Sequence, residues 1–137
     1  MKVVLDIETD GFNPSKIHCI VAKDINTNTV TIWDSGNMYG FKNWAKGVDT
    51  FIMHNGLSFD APVLNRLLDA EILPGNIVDT LILSQLFNPI REKGHSLKAW
   101  GEKLNMLKGG EGVNFSKYNQ AMLDYCKQDV EITHAVY

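Results

Sequence analysis

The chain has few cysteines and no long apolar run, and each shortage excludes a class of protein. Its 137 residues include two cysteines, Cys19 and Cys126, which belong to no C-x-x-C motif. Two distant cysteines cannot build a disulfide-stabilised miniprotein, so they indicate buried thiols in a reducing compartment. No stretch approaches the roughly 20 apolar residues that a membrane-spanning helix needs. Asp6 lies too early in the chain for a secretory signal peptide, so the sequence predicts no membrane partner.

Basic residues are fewer than acidic residues. The chain has 13 lysines and arginines against 16 aspartates and glutamates, a net charge of −3. Proteins that coat nucleic acids are normally basic, so this balance argues against a general coating role. The composition is otherwise ordinary, with 45% hydrophobic and 21% charged residues, which excludes a disordered tail. The length predicts a single domain over residues 1–137.

Hydrophobic patterns predict strands in the first part of the chain and helices mixed with strands afterwards. The predicted strands are residues 2–9, 17–25, 29–33, 50–53 and 77–78. The predicted helices are residues 41–45, 59–71, one capped by Asp79 that ends at Phe87, one capped by Ser96, and one from about Ser116 to the end. The first three strands form a predicted antiparallel meander, and residues 50–53 a buried parallel strand. This order of elements predicts an α/β or α+β layered domain.

Asp6 and Glu8 lie two residues apart on the first predicted strand. Side chains at i and i+2 point to the same face of a strand, whereas Leu5 and Ile7 point to the other. Two neighbouring like charges beside an apolar strand are costly unless a cation lies between them. The alternative is a frayed strand end with two solvated acids.

Two further acids occupy unusual places in predicted helices. Asp60 lies in a first helical turn, where the alternative to a ligand is an acid that favours the helix N-terminus. Asp129 is the one acid in an apolar and aromatic stripe of the last helix, where it needs a partner. The alternative partner is a lysine or arginine at the edge of the core. The stripe consists of Tyr118, Met122, Tyr125, Asp129, Ile132 and Val136.

All four acids offer oxygen donors, with no histidine or cysteine in a matching position. Such a set suits Mg²⁺ or Mn²⁺, and two ions at one site would serve the displacement of a phosphodiester oxygen. Tyr125 is a poor general base, because a tyrosine ordinarily has a pKa of about 10. We expect it to place an attacking water by a hydrogen bond. Four of the 16 acids then belong to one metal site, so the net charge of −3 does not exclude a nucleic-acid substrate.

These acids belong to three motifs that resemble, in order, the exonuclease motifs of the DEDD 3′–5′ exonuclease superfamily. The motifs are Asp6-x-Glu8, Asn55-x-x-x-Phe59-Asp60 and Tyr125-x-x-x-Asp129, and the tyrosine of the third resembles the tyrosine subclass. The stretches 54–60, 79–81 and 95–101 look most like the proofreading domain of bacteriophage family-A DNA polymerases. The resemblance implies a ribonuclease-H-like fold, with a mixed central sheet flanked by helices.

The resemblance also implies an activity. By it, two ions (Mg²⁺ or Mn²⁺) are held by four residues, Asp6, Glu8, Asp60 and Asp129. Asp6 touches both ions, Glu8 and Asp129 favour the ion on the nucleophile side, and Asp60 reaches the other through water. Tyr125 orients the attacking water. The implied reaction releases nucleoside monophosphates from the 3′ end of single-stranded or frayed DNA, as in proofreading. A DNA polymerase domain or subunit would be the partner, in the cytoplasm of a bacterial or phage-infected cell.

Substrate contacts are implied for a second group of residues. The resemblance places Asn55 and Phe59 along the channel for the 3′-terminal nucleotides and Thr9 against the last one. His95 is expected either to line this channel or to stabilise a loop-to-helix junction.

A locally basic segment adds a further expectation. Residues 91–117 contain six basic residues, including Lys93 and Lys98, against three acids. We expect part of this segment to contact the phosphate backbone of single-stranded DNA. The alternative is a solvated helix face with a few lysines.

Two other functions remain open on the sequence alone. A 3′–5′ exoribonuclease would share the same metal chemistry, and a non-catalytic domain could bind 3′ ends or a polymerase. No polymerase domain follows the third motif, so the sequence predicts either a minimal stand-alone exonuclease or a part of a longer polypeptide. The segment between the second and third motifs is short, which predicts reduced substrate-binding loops.

Overall fold

A five-stranded mixed sheet forms the centre of the computed structural model, which describes residues 1–91, 94–104, 106 and 118–137. The strands are β1 (Lys2–Thr9), β2 (Ile17–Asp24), β3 (Val30–Trp33), β4 (Thr50–Met53) and β5 (Ile77–Asp79). Their spatial order is β3-β2-β1-β4-β5. The first three strands are antiparallel, whereas β4 runs parallel to β1 and β5 parallel to β4. The predicted meander and the predicted parallel strand are both confirmed.

Five helices flank this sheet in the described part of the chain. They are α1 (Phe41–Ala45), α2 (Ala61–Leu68), α3 (Thr80–Phe87), α4 (Leu97–Lys103) and α5 (Gln120–Val136). The two predicted N-caps are confirmed, because Asp79 accepts a hydrogen bond from the amide of Leu81 and Ser96 from that of Ala99. Over the same residues, no helix has the length and apolar character that a membrane crossing requires. The fold is the predicted α/β arrangement of a mixed sheet between helices.

Two helices are shorter than the sequence predicts. Residues 56–60 form a wide π-type turn, so α2 begins only at Ala61. The helix ends at Leu68 because Asp69 adopts a left-handed backbone with φ of 52°. The last helix begins at Gln120 and is capped by Asn119, whose side chain accepts a hydrogen bond from the amide of Met122. Residues 118 and 119 are therefore not helical, contrary to the helix predicted from about Ser116. Ser116 itself lies outside the described residues.

The sheet separates two apolar layers. Leu5 and Ile7 of β1 belong to the larger layer, with the side chains of α1 and α2. Val4 belongs to the other layer, with Cys19 and Val21 of β2 and the side chains of α5. Asp6 and Glu8 lie on the face opposite Leu5 and Ile7, as predicted, and this face packs against α5. This packing brings the acids of the first strand to the helix that carries Tyr125 and Asp129.

Candidate active site

A pocket of about 540 Å³ opens where the end of β1 meets the loop after β4 and the middle of α5. It is lined by Asp6, Ile7, Glu8, Thr9, Gly11, Phe12, His54, Asn55, Phe59, Asp60, Tyr125 and Asp129. All four predicted metal-binding acids belong to this lining, together with Tyr125. The structure thus brings together residues from three segments that are far apart in the sequence.

Strand β1 supplies the first two acids. Asp6 and Glu8 lie opposite Val21 and Cys19 of β2, and the pairing shifts at a bulge between Glu8 and Thr9. Bulges are frequent beside active sites because they redirect side chains at a strand end. One oxygen of each carboxylate and the sulfur of Cys126 all lie within 4.8 Å of one another. The frayed-strand alternative does not hold, because both residues are in a central strand and Glu8 is buried.

Asp60 enters the pocket from the wide turn before α2. Its side chain is 4% exposed and makes no capping hydrogen bond to α2. The Oδ2 atom accepts no hydrogen bond from the described residues. Burial, together with the charges of Asp79 and Asp129, raises the pKa of Asp60 to about 8. A buried carboxylate in these surroundings fits the donor set of a cation, since a positive charge would offset both burial and repulsion.

The turn that carries Asp60 depends on two residues before it. Asn55 adopts a left-handed backbone with φ of 63°, a conformation that asparagine tolerates better than most residues. The next residue is Gly56, where a Cβ atom would overlap the side chain of Met53. The sequence Asn55-Gly56 therefore lets the chain leave β4 sharply and return towards the pocket.

Asp79 holds this turn from the neighbouring strand. Its Oδ1 accepts hydrogen bonds from the amides of Asn55 (2.8 Å) and Leu81 (3.0 Å), and its Oδ2 from the amide of Leu57 (3.1 Å). The next residue, Thr80, bonds through its hydroxyl to Nδ1 of His54 at 2.8 Å. Asp79 is thus a positioning residue for the loop as well as the predicted helix cap.

We expect Asp79→Ala to destabilise the protein by about 1–3 kcal/mol, because it removes a helix cap and leaves partly buried amides without their acceptor. Urea unfolding at neutral pH would measure the change. Asp79→Asn is the matched control, since it keeps an acceptor oxygen and should recover part of the loss. An Asp79→Ala protein with the unfolding midpoint of the wild type would contradict the assigned role.

Helix α5 supplies the remaining two predicted residues. Tyr125 is half-buried and Asp129 is 4% exposed, one turn further along the same helix face. Met122 and Ile132 of the predicted stripe are fully buried. The buried face is wider than this stripe, because it also contains Leu123, Cys126, Val130 and Thr133.

Three predicted substrate-binding residues line the pocket, whereas His95 and Lys98 do not. Thr9, Asn55 and Phe59 are part of the lining. His95 bonds through Nδ1 to the hydroxyl of Ser84, which also accepts a hydrogen bond from the indole of Trp100. This contact joins α3 to the start of α4, in line with the structural role that was one expectation for His95.

The two lysines are placed differently. Lys98 is exposed on α4 and is not among the residues that line the pocket. Lys93 lies outside the described residues. Contact between these lysines and DNA stays a prediction.

Phe12 is a candidate that the sequence reasoning missed. Its side chain is fully exposed, yet it lies at the pocket. The loop that carries it is fixed by Asp10, which accepts hydrogen bonds from the amides of Ser15 and Lys16, and by Arg66, which donates to the carbonyl of Pro14. The available signal was an aromatic residue in a polar turn directly after Asp6-x-Glu8.

Comparisons with known proteins point to DNA polymerases. No known family model matches the sequence. The DNA-directed DNA polymerase of Escherichia phage T7 is 28% identical over 181 residues, and that of Enterobacteria phage T3 is 27% identical over 180. Each match covers 98% of this chain and 26% of the polymerase, so the chain spans about a quarter of these relatives. The matched regions are longer than this chain, so the relatives carry additional residues there.

A solved structure shares the fold. The family B DNA polymerase from the hyperthermophilic archaeon Pyrobaculum calidifontis matches with a TM-score of 0.71 and 16% identity, over 98% of this chain and 23% of that one. At this identity the likeness concerns the fold alone. The chain therefore has a ribonuclease-H-like α/β fold, and its sequence is similar to one part of the T7 and T3 DNA polymerases.

Proposed function

We propose that this chain is a metal-dependent 3′–5′ exonuclease that removes nucleoside monophosphates from the 3′ end of DNA and proofreads for a DNA polymerase. The observation that carries the proposal is the pocket in which the four predicted acids converge, with a buried Asp60 oxygen that accepts no hydrogen bond from the described residues. The similarity to the T7 and T3 polymerases supports DNA as the substrate.

The donor set fits hard divalent cations. Asp6, Glu8, Asp60 and Asp129 would hold Mg²⁺ or Mn²⁺, since both ions prefer carboxylate oxygens. When bound, two such ions would stabilise the attacking and leaving oxygens of the phosphodiester. The pocket would hold them at the end of the central strand β1, where Asp6 and Glu8 are held by pairing with β2.

The other lining residues would position water and DNA. The phenol of Tyr125 lies one helical turn from Asp129 and would orient the attacking water by a hydrogen bond. Asn55 and Phe59 would line the path of the terminal nucleotides, and the backbone of Thr9 would contact the last one. Phe12 offers an exposed aromatic face on which a base can stack.

Phe12→Ala is expected to raise the KM for single-stranded DNA by about 5- to 150-fold, the range that corresponds to the loss of one base–aromatic stack. The kcat should change much less, because Phe12 carries no metal-binding or proton-transferring group. Tyr39→Ala is the matched control, since Tyr39 is another exposed aromatic residue that does not line the pocket. Equal effects of the two substitutions would exclude a specific role for Phe12.

A nuclease assay tests the function as a whole. Single-stranded DNA and RNA of the same sequence, labelled at the 5′ end, would be incubated with the protein in Mg²⁺, Mn²⁺ or EDTA. We expect stepwise shortening of the labelled DNA in either metal and none in EDTA, with nucleoside monophosphates as products. Preferential shortening of RNA would instead indicate an exoribonuclease. Binding of 3′ ends without cleavage would indicate a non-catalytic domain.

The polymerase partner is part of the same proposal. Residues 1–137 would form one exonuclease domain that acts with a polymerase, either in the same polypeptide or as a separate subunit. The support is that the chain matches only about a quarter of two much longer phage DNA polymerases. We place this activity in the cytoplasm of a bacterial or phage-infected cell.

A further inference from the structure

A sulfur atom lies beside the carboxylates of the pocket. Cys126 is completely buried on the face of α5 that packs against the sheet, and its thiol donates to Oδ2 of Asp6 over 3.5 Å. Its sulfur forms a group with one oxygen of Asp6 and one of Glu8, all within 4.8 Å of one another. This mixed sulfur and oxygen set differs from the all-oxygen set that Mg²⁺ prefers.

A second thiol adjoins the first. Cys19 lies opposite Glu8 in the pairing of β1 with β2, and it is buried in the same apolar layer as Cys126. A hydrogen bond joins Cys19 and Cys126. The thiolate is the form of cysteine that binds a metal ion.

We propose that Asp6, Glu8 and Cys126 form a binding site for one thiophilic divalent cation, with Zn²⁺ as the preferred ion, and that this ion inhibits the exonuclease. As the metal–sulfur bond forms, the proton of Cys126 leaves to solvent. The inhibition rests on the proposed function, whereas binding of the cation depends only on the donor set.

The distances allow such a site. Ligand atoms in a tetrahedral zinc site lie about 3.3–3.8 Å apart, because zinc bonds to oxygen and sulfur are about 2.0–2.3 Å long. The donor atoms here lie within 4.8 Å of one another, so movements of about 1 Å in these side chains would bring the atoms to the spacing of a zinc site. Asp60 gives an independent indication of a cation in this pocket, since its buried Oδ2 accepts no hydrogen bond from the described residues.

Inhibition follows from the two acids that the sites would share. A zinc ion bound to Cys126 would occupy carboxylate oxygens of Asp6 and Glu8 that the proposed reaction needs for Mg²⁺ or Mn²⁺. Thiolate ligands select Zn²⁺ over Mg²⁺, so a small amount of zinc would compete with a large excess of magnesium.

Cadmium is a suitable probe, because a cadmium–thiolate bond absorbs in the ultraviolet. Metal-free protein, kept reduced with a phosphine that contains no thiol, would be titrated with Cd²⁺. We expect a sulfur-to-metal charge-transfer band that saturates at one ion per chain and is reversed by Zn²⁺. The matched variants are Cys126→Ser, which should abolish the band, and Cys19→Ser, which should retain it.

A competition assay would measure the inhibition. The ratio of nuclease activity with and without Zn²⁺, in excess Mg²⁺, would be compared within each protein. We expect the zinc concentration for half-inhibition to rise at least about tenfold in Cys126→Ser, the change expected when a metal site is weakened. Glu8→Gln gives a second test if Cys126→Ser does not fold. This variant should bind cadmium at least about tenfold more weakly. It should still show the charge-transfer band, because Cys126 is retained.

The cation site and the proposed exonuclease function can be refuted independently of each other. Absence of the band in wild-type protein, or a band that persists in Cys126→Ser, would overturn the thiophilic site whatever the nuclease activity. A band that depends on Cys126 in a protein without nuclease activity would support the cation site and defeat the proposed function. Equal zinc inhibition of wild type and Cys126→Ser would overturn the inhibitory role.

Discussion

Replacement of Asp6 by asparagine is expected to slow nucleotide release from single-stranded DNA by about 10³-fold or more, the scale seen when a main electrostatic group is removed from an active site. Asp6 lies in the middle of the central strand, with Glu8 beside it and Cys126 across from it on α5. Asparagine keeps the size of the side chain but removes its charge. The rate would be measured in single turnover with 5′-labelled DNA and saturating Mg²⁺.

The same substitution is expected to stabilise the metal-free protein. Asp6 and Glu8 are neighbouring acids on one strand face, and EDTA removes any metal ion that would offset their repulsion. Thermal unfolding in EDTA should therefore give a higher Tm for Asp6→Asn than for wild type. A lower Tm together with lost activity would indicate damage to the fold rather than to metal binding.

Asp69→Asn is the matched control for Asp6→Asn. Asp69 is exposed after α2, where it is paired with Lys42, and it does not line the pocket. Its replacement should leave nucleotide release unchanged. Full activity in Asp6→Asn, or equal losses in both variants, would contradict the assigned role of Asp6.

Local patterns were enough to predict much of the fold and two of the side-chain pairs that line the pocket. The alternation of β1 gave the shared face of Asp6 and Glu8, and the helical spacing of the last helix placed Tyr125 and Asp129 together. Side-chain caps were equally readable, because an N-cap acts on amides two or three residues away. Each of these features depends on residues that are close in the sequence.

The features that sequence reasoning missed depend on contacts across the fold. Cys126 meets Asp6 over a separation of 120 residues, and Asp79 binds the amide of Asn55 from 24 residues away. No local period reveals such pairs. Phe12 was missed for the opposite reason, since apolar character predicts burial and this side chain is fully exposed.

The boundaries of α2 show how backbone conformation overrides apolar spacing. The periodic leucines predict a helix over residues 59–71, but the left-handed backbone of Asp69 ends it at Leu68. Before the helix, Asn55 and Gly56 direct the chain into a wide turn that carries Asp60 into the pocket. The sequence thus predicted the presence of Asp60 near a helix start, but not the turn that buries it.

The metal-free protein is expected to lose stability as pH rises from about 4 to about 8, with Asp60 as a principal cause. In the folded protein, burial and the charges of Asp79 and Asp129 raise the pKa of Asp60 from 3.8 to about 8. The unfolded chain has no such surroundings, so its Asp60 ionises near the ordinary value of about 3.9. Between these two values the folded state holds a proton that the unfolded state has released, and a rise in pH therefore favours unfolding.

Asp60→Asn isolates this contribution, because asparagine cannot ionise. At about pH 4 the variant and the wild type should unfold at similar temperatures in EDTA, since both side chains are then neutral in the folded state. At pH 8 to 9 the variant should have the higher Tm, by about 5 °C or more. Saturating Mn²⁺ should reduce this difference, because a bound cation would stabilise the ionised Asp60 of the wild type but not the amide. A difference in Tm that is the same at both ends of the pH range would show that Asp60 is ionised throughout. That result would contradict a raised pKa of Asp60 in the folded protein.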